Sequence, residues 1–196
     1  MDEKTKKVIK KESEKKEITV LDYEIDVDQI LLHSRNVFLY GEINDTSANK
    51  INKKLLALAE IEQAPIAMWI NSRGGSIGAG FSIIDTMKGL NSPVITFING
   101  NACSMAGLVS VAGYRRIMTS HSTWMAHEAY VNNTDYISKA IDRTAYHKIL
   151  EKMIKQHFKK HTKLTQKDID KAMKGELWFT ANQCKRKGII DKIARV

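Results

Sequence analysis

The sequence is poor in the residues that build disulfide-rich or membrane-spanning proteins. Its 196 residues include only two cysteines, Cys103 and Cys184, which are too few for a disulfide framework and predict free thiols in a reducing compartment. No apolar run reaches 18 residues, so we expect no membrane span. The opening segment, MDEKTKKVIKKESEKKE, lacks the apolar stretch of a secretory signal. These absences predict a cytoplasmic protein without a membrane partner.

Aromatic residues are also few, at 7% of the chain, and this bears on the formal net charge of +9. A basic chain raises the hypothesis of a nucleic-acid-binding module. Here the lysines and arginines are spread over the N-terminal segment and one long helix, with few aromatics between them and no nucleic-acid motif. Solvated helix faces explain this pattern better, so we expect no nucleic-acid partner. A nucleic-acid module remains an alternative, and its affinity would fall steeply with salt.

The hydrophobic content of 43% suffices for one domain with a buried core. Residues 1–21 are charged and predict a mobile tail, because they bury too little surface to offset ordering entropy. Residues 22–196 predict a single α/β domain in which strands alternate with helices on a largely parallel sheet. The patterns predict strands at 36–43, 65–71, 92–100, 114–120 and 122–130, helices at 47–62, 76–90 and 104–113, a long amphipathic helix at 136–161, and two short helices opened by the capping boxes TQKD and TANQ.

The stretch NGNACSMAG (99–107) places Ser104 where a strand and a glycine-containing turn lead into a helix. A hydroxyl at such a place lies beside free backbone N–H groups, which can stabilise an oxyanion. The G-x-S-x-G pattern of a nucleophile elbow is absent. From this stretch alone, a structural serine is the simpler interpretation.

A serine nucleophile needs a base, and the base needs a carboxylate. Of the six histidines, His127 ends the strand-like segment TWMAH, where its side chain can be aimed rigidly into a cleft. A structural histidine is the competing interpretation. Downstream carboxylates include Asp170, Glu176 and Asp191, and spacing alone does not choose among them.

A glycine pair, Gly74-Gly75, follows another strand in INSRGGS (70–76). Glycine permits close backbone approach and positive φ. The pair could supply an oxyanion N–H or bind a peptide backbone, or it could simply form a turn before the next helix. A phosphate-binding loop is a further alternative, although no Walker lysine follows.

Together, and in this order, these segments resemble the proteolytic subunit of the Clp protease. MWINSRGGSIGAGFSIIDTM is similar to that family's strand, Gly-Gly turn and helix, GNACSMAG to its nucleophile segment, and WMAHE to its histidine strand. WFTANQCKRKGIID (178–191) is similar to its closing segment. The likeness runs from about Asp26 to the C-terminus.

This resemblance implies a serine endopeptidase that acts on unfolded proteins or peptides through an acyl-enzyme, without cofactor or metal. It implies a catalytic triad of the nucleophile Ser104, the general base His127 and the carboxylate Glu176, which stands where the family has aspartate. Gly75 and Met105 would donate the oxyanion N–H groups. Gly74 and Arg73 would lie along the bound substrate.

The family's fold is a ββα superhelix with a protruding helical handle, and 136–161 resembles that handle. The resemblance implies a homo-oligomer of stacked seven-membered rings around a chamber, served by an AAA+ unfoldase. Three features depart from the family: Arg73 replaces a proline, Cys103 replaces an alanine, and the N-terminal segment does not resemble the axial loop that meets the ATPase.

Three other functions remain open at this stage. A phage-type relative would trim capsid or scaffold proteins. A catalytically inactive ring subunit would normally lack a triad member, and only Glu176 favours it. An acyl-CoA enzyme of the crotonase type shares the superhelix and an oxyanion hole but would bind coenzyme A.

Overall fold

The computed structural model describes residues 26–129 and 137–194, with the backbone alone for 137–142. The predicted mobile tail, residues 1–21, lies outside the described residues. Helix α1, Val27–His33, belongs to an N-terminal unit that ends at His33. The second unit begins at Ser34 and holds every other element.

The second unit has the mixed α/β composition that the sequence predicts. Its described residues form seven strands: β1 Asn36–Ile43, β2 Ile66–Gly75, β3 Val94–Cys103, β4 Arg115–Thr119, β5 Thr123–Ala126, β6 Leu177–Thr180 and β7 Lys192–Ala194. Six helices accompany them: α2 Asp45–Ile61, α3 Ile77–Gly89, α4 Met105–Val111, α5 Ile137–His161, α6 Gln166–Ala172 and α7 Ala181–Arg186.

The sheet is largely parallel, as predicted. Strands β1, β2, β3, β4 and β7 lie side by side in that order, and all of these pairs are parallel. Strand β5 runs parallel to β3, and its other neighbour, β6, is antiparallel to it. The architecture agrees with the predicted superhelix.

Helices begin where short polar side chains satisfy their first N–H groups. The predicted capping boxes are present: Asp168 accepts a bond from the Thr165 N–H at 2.9 Å, and Gln183 accepts one from the Thr180 N–H at 2.8 Å. Helix α2 begins two residues before the helix predicted at 47–62. Asn44 caps α2, and Ser47 is its capping-box partner, because their side chains and backbone N–H groups bond reciprocally.

Strand β3 changes partners along its length, and this change shapes the site. Its first half pairs with β4 through residues 95–98, and its last three residues, 101–103, pair with β5. Gly100 lies at the change with φ +118°, and a Cβ there would approach Asn71 Oδ1 to 2.5 Å. The same Asn71 oxygen accepts a bond from the Asn101 N–H at 3.0 Å. The end of β3 is thereby held apart from β4, beside β5.

Among the described side chains of helix α5, the buried ones lie in its C-terminal part. Ile154 and Phe158 are buried, and Phe158 packs edge-on against Trp124. In contrast, no side chain described between 143 and 153 is buried, and Tyr146, Ile149 and Met153 are exposed. This exposure fits the predicted handle. Among the described residues, no helix is both long and apolar enough to cross a membrane.

Candidate active site

Ser104 and His127 lie in direct contact. The Nε2 atom of His127 is 2.8 Å from the Oγ atom of Ser104, and both side chains are partly buried. The residues are 23 positions apart in the chain, so this pairing is a product of the fold. A serine hydroxyl bonded to an imidazole is the arrangement that activates a serine nucleophile.

The connection between β3 and α4 aims the Ser104 side chain. Ser104 has φ 54° and ψ −126°, a conformation that is strained for a residue with a side chain. Its N–H donates to the Met125 carbonyl oxygen at 2.8 Å, which ties the turn to β5 two residues before His127. Gly107 lets α4 approach β5, because a Cβ there would lie 3.1 Å from both Met125 O and Trp124 Nε1.

Backbone donors surround the serine hydroxyl. The Met105 N–H lies in the first turn of α4, where no intrahelical acceptor is available. The Met105 side chain fixes this turn: it is 2% exposed and packs on Gly80 of α3, where a Cβ would lie 2.2 Å from Met105 Cγ. The helix start therefore presents a free N–H at a defined position beside Ser104.

The glycine pair at the end of β2 lies against the same turn. A Cβ on Gly74 would come within 2.7 Å of Cys103 O, 2.8 Å of Ser104 Cβ and 2.9 Å of Met105 N. Gly74 and Gly75 both have positive φ, at 101° and 147°. Gly75 is equally confined, since a Cβ there would lie 2.1 Å from Ile43 O. The Gly74–Gly75 peptide is therefore a neighbour of Ser104 and of the Met105 N–H.

Two side chains of opposite charge, Arg73 and Glu176, act electrostatically on Cys103, the residue before Ser104. Burial raises the pKa of the Cys103 thiol, Arg73 opposes this rise, and Glu176 adds to it. Cys103 is 3% exposed, which agrees with a neutral core thiol, whereas the Arg73 side chain is exposed. Arg73 and Glu176 thus both lie in electrostatic range of the candidate site.

The β5–β6 register brings Glu176 and His127 to corresponding positions. Ala126 pairs with Leu177 in these antiparallel strands, and His127 and Glu176 are the residues just beyond this pair, after β5 and before β6. Their side chains therefore fall on one face of the sheet. Within the described part of the chain, no hydrogen bond joins the two side chains. Glu176 Oε2 instead accepts a bond from Trp178 Nε1 at 2.7 Å, a contact that sequence reasoning missed.

The other two candidate carboxylates are engaged elsewhere. Asp191 forms an ion pair with Arg116 at 2.6 Å, and Asp170 accepts a bond from Gln166 Nε2 at 2.8 Å. Arg116 also donates to the backbone carbonyls of Gly188 and His161. The ion pair between Asp191 and Arg116 therefore joins β4 to the segment that leads into β7.

The histidines at the C-terminal end of α5 have a different environment from His127. One of them, His157, is half-buried, and its Nε2 atom lies 3.0 Å from the Leu108 carbonyl oxygen. Its ring also lies 4.5 Å, centroid to centroid, from that of His161. In the described ranges, no group of three or more His, Cys, Asp or Glu side chains is placed to hold a metal ion.

Comparison with known proteins agrees with this geometry. The family model described as Clp protease matches residues 20–196. The chain belongs to the Clp protease family. It is 32% identical to the ATP-dependent Clp protease proteolytic subunit 1 of Rhodopirellula baltica, over 87% of this chain and 76% of that protein. It is 34% identical to the subunit of the same name from Chlamydia caviae, over 85% of this chain and 90% of that protein.

Membership in the Clp protease family confirms the prediction of a serine endopeptidase. The phage-type, inactive-subunit and acyl-CoA alternatives are not favoured by relatives that are named as proteolytic subunits.

Proposed function

We propose that this chain cleaves peptide bonds through an acyl-enzyme, with Ser104 as nucleophile and His127 as general base. The observation that carries the proposal is the 2.8 Å contact between Ser104 Oγ and His127 Nε2. Glu176 is the third member of the triad, because the strand register sets it beside His127. A glutamate can orient the imidazole and stabilise its charged form as an aspartate does.

The reaction begins when Ser104 Oγ attacks the carbonyl carbon of the scissile bond. His127 Nε2 takes the hydroxyl proton, and the carbonyl oxygen becomes an oxyanion that the Met105 and Gly75 N–H groups bind. His127 then gives its proton to the departing amine, which leaves an ester on Ser104. A water molecule, deprotonated by His127, attacks this ester, and His127 returns the proton to Ser104 Oγ as the ester bond breaks and the carboxylic acid product leaves.

The substrate is a polypeptide held along the glycine pair at the end of β2. Gly74 itself is buried against the Ser104 turn, whereas Gly75 and Arg73 are exposed. Among the described residues, no salt bridge includes Arg73. We expect Arg73 to favour substrates with an acidic side chain near the scissile bond.

The family further suggests how the subunit works in the cell. The handle helix α5 leaves apolar side chains exposed, which fits a homo-oligomer of stacked heptameric rings with the active sites inside a chamber. The relatives' names include "ATP-dependent", which supports cooperation with an AAA+ unfoldase in the cytoplasm.

Labelling with a fluorophosphonate probe tests the proposed nucleophile and base. The intact protein should be labelled, whereas Ser104→Ala and His127→Ala should lose labelling. Ser120→Ala and His121→Ala are matched controls, because both residues are exposed neighbours outside the site; they should label like the parent. A folded, oligomeric parent that fails to react would contradict the proposal, as would labelling that survives in Ser104→Ala.

A further inference from the structure

Trp178 contacts the candidate triad directly, and the proposed reaction assigns this contact no role. The chain has three tryptophans, and each indole N–H has an acceptor: Gly107 O for Trp124, Asn36 Oδ1 for Trp69, and Glu176 Oε2 for Trp178. Trp178 alone donates to a charged group. It does so although its side chain is 49% exposed, where water could serve the indole equally well.

The strand pattern places the indole on the catalytic side of the sheet. In β6, Leu177 and Phe179 are buried, and Phe179 stacks on Trp124 with 6.0 Å between ring centroids. Trp178 points the other way and pairs across the strands with Met125. Because side chains alternate along a strand, Glu176 and Trp178 share the face on which His127 lies.

Glutamate needs such a contact more than aspartate does. It has one more rotatable bond, so its carboxylate reaches further but is less confined. The buried residues of β6 hold its backbone, so at this position it is the side chain of Glu176 that can still change conformation. A charge-assisted bond from Trp178 to Oε2 confines that side chain and leaves Oε1 available to His127 Nδ1.

We propose that Trp178 is a positioning residue that holds the Glu176 carboxylate in place for His127. This inference rests on the proposed function, since it assigns a role within that triad. The 2.7 Å bond from Trp178 Nε1 restricts Glu176, and the bond from Glu176 to His127 then forms when the site closes on substrate. Catalytic hydrogen bonds that are long in an unliganded site commonly tighten in this way.

The test compares rates of Ser104 phosphonylation by a fluorophosphonate in the full-length protein, in which Ser104 Oγ attacks phosphorus and fluoride leaves. Trp178→Phe keeps an aromatic ring and removes only the donor. We expect it to slow this reaction by about fivefold to tenfold, a modest loss for a hydrogen bond to a charged group because the site is exposed. Glu176→Gln should slow the reaction further. Adding Trp178→Phe to Glu176→Gln should cause no further loss, because Trp178 acts only through the carboxylate.

Trp69→Phe is the matched control, since it removes an equivalent indole N–H from a 2.7 Å bond and keeps a ring against Phe97. It should react like the parent. The indole ¹⁵N–¹H signals give a readout independent of activity: Glu176→Gln should shift the signal of Trp178 and leave that of Trp69 in place.

Three results overturn the inference alone. The first is an unchanged or faster rate in Trp178→Phe, the second is an equal loss from Trp178→Phe with and without the Glu176 carboxylate, and the third is an unmoved Trp178 signal in Glu176→Gln. A folded parent that does not react overturns the proposed function as well, so the two failures are distinguishable.

Discussion

Replacing Gly74 by alanine should damage the site and the fold together. The added Cβ would lie 2.7 Å from Cys103 O, 2.8 Å from Ser104 Cβ and 2.9 Å from Met105 N. None of these atoms is the far end of a flexible side chain, so the backbone itself must shift. The φ of +101° at Gly74 adds strain for any residue with a Cβ.

The size of the effect follows from these two costs. Positive φ costs about 1–2 kcal/mol, and overpacking in a close-packed region costs about 1–3 kcal/mol. We therefore expect a loss of about 3 kcal/mol in the free energy of unfolding, or a fall in Tm of roughly 6–12 °C for a domain of this size. A shift of about 1 Å in Ser104 or in the Met105 N–H would slow acylation by about 10²-fold.

The assay combines thermal unfolding at fixed protein concentration with the rate of fluorophosphonate labelling. Gly78→Ala is the control: an added Cβ there meets no atom within 4 Å, and the residue lies in the first turn of α3. That variant should be as stable as the parent or slightly more stable. If Gly74→Ala has the Tm and labelling rate of the parent, the close approach between β2 and the Ser104 turn is refuted.

Three further changes have defined outcomes. Burial and the nearby His157 hold the pKa of His161 at about 4. As the pH falls from 6.5 to 4, the unfolded chain therefore binds this proton before the folded chain does, and the free energy of unfolding decreases. His161→Gln should make the urea midpoint less dependent on pH over that range. Burial opposes ionisation of Asp168, yet hydrogen bonds from Lys187 and Thr165 prevail and lower its pKa to about 2. Its contribution is present above about pH 4 and is lost as pH falls to 2, so Asp168→Asn should make acid unfolding shallower, and an unchanged acid profile would contradict this. In a peptide-library cleavage assay, Arg73→Ala should lose preference for acidic side chains near the cleaved bond; an unaltered profile would exclude the proposed contact.

Local sequence determined most of the elements. Alternating burial along β1 and β2, the helical spacing of α3 and the reciprocal caps of α6 and α7 all depend on residues within a few positions of one another. These elements can be predicted from the sequence because secondary-structure propensity, hydrophobic patterning and helix capping act over one or two turns. The predicted start of α2 was wrong because Asn44 and Ser47 are both suited to an N-cap position, and in the fold they form one capping box that begins at Asn44.

Only part of the candidate site could be predicted from the sequence. The order of its motifs indicated Ser104, His127 and the glycine pair by resemblance to a family, since no single stretch distinguishes a catalytic serine from a structural one. The sequence also left Asp170, Glu176 and Asp191 equivalent as carboxylates. The β5–β6 register separates them: it brings Glu176 opposite His127 just beyond the paired residues, whereas Asp191 is paired with Arg116 of β4.

What only the tertiary structure decided is how residues distant in the chain meet. The 2.8 Å contact between Ser104 and His127 requires β3 to exchange β4 for β5 at Gly100, and the approach of the Glu176 segment to the His127 segment requires β6 to pair antiparallel with β5. Pairing across strands depends on register and on close packing over the whole domain. Local sequence patterns contain no information about register or long-range packing. They therefore determine the helices and strands, whereas the packed fold determines the site.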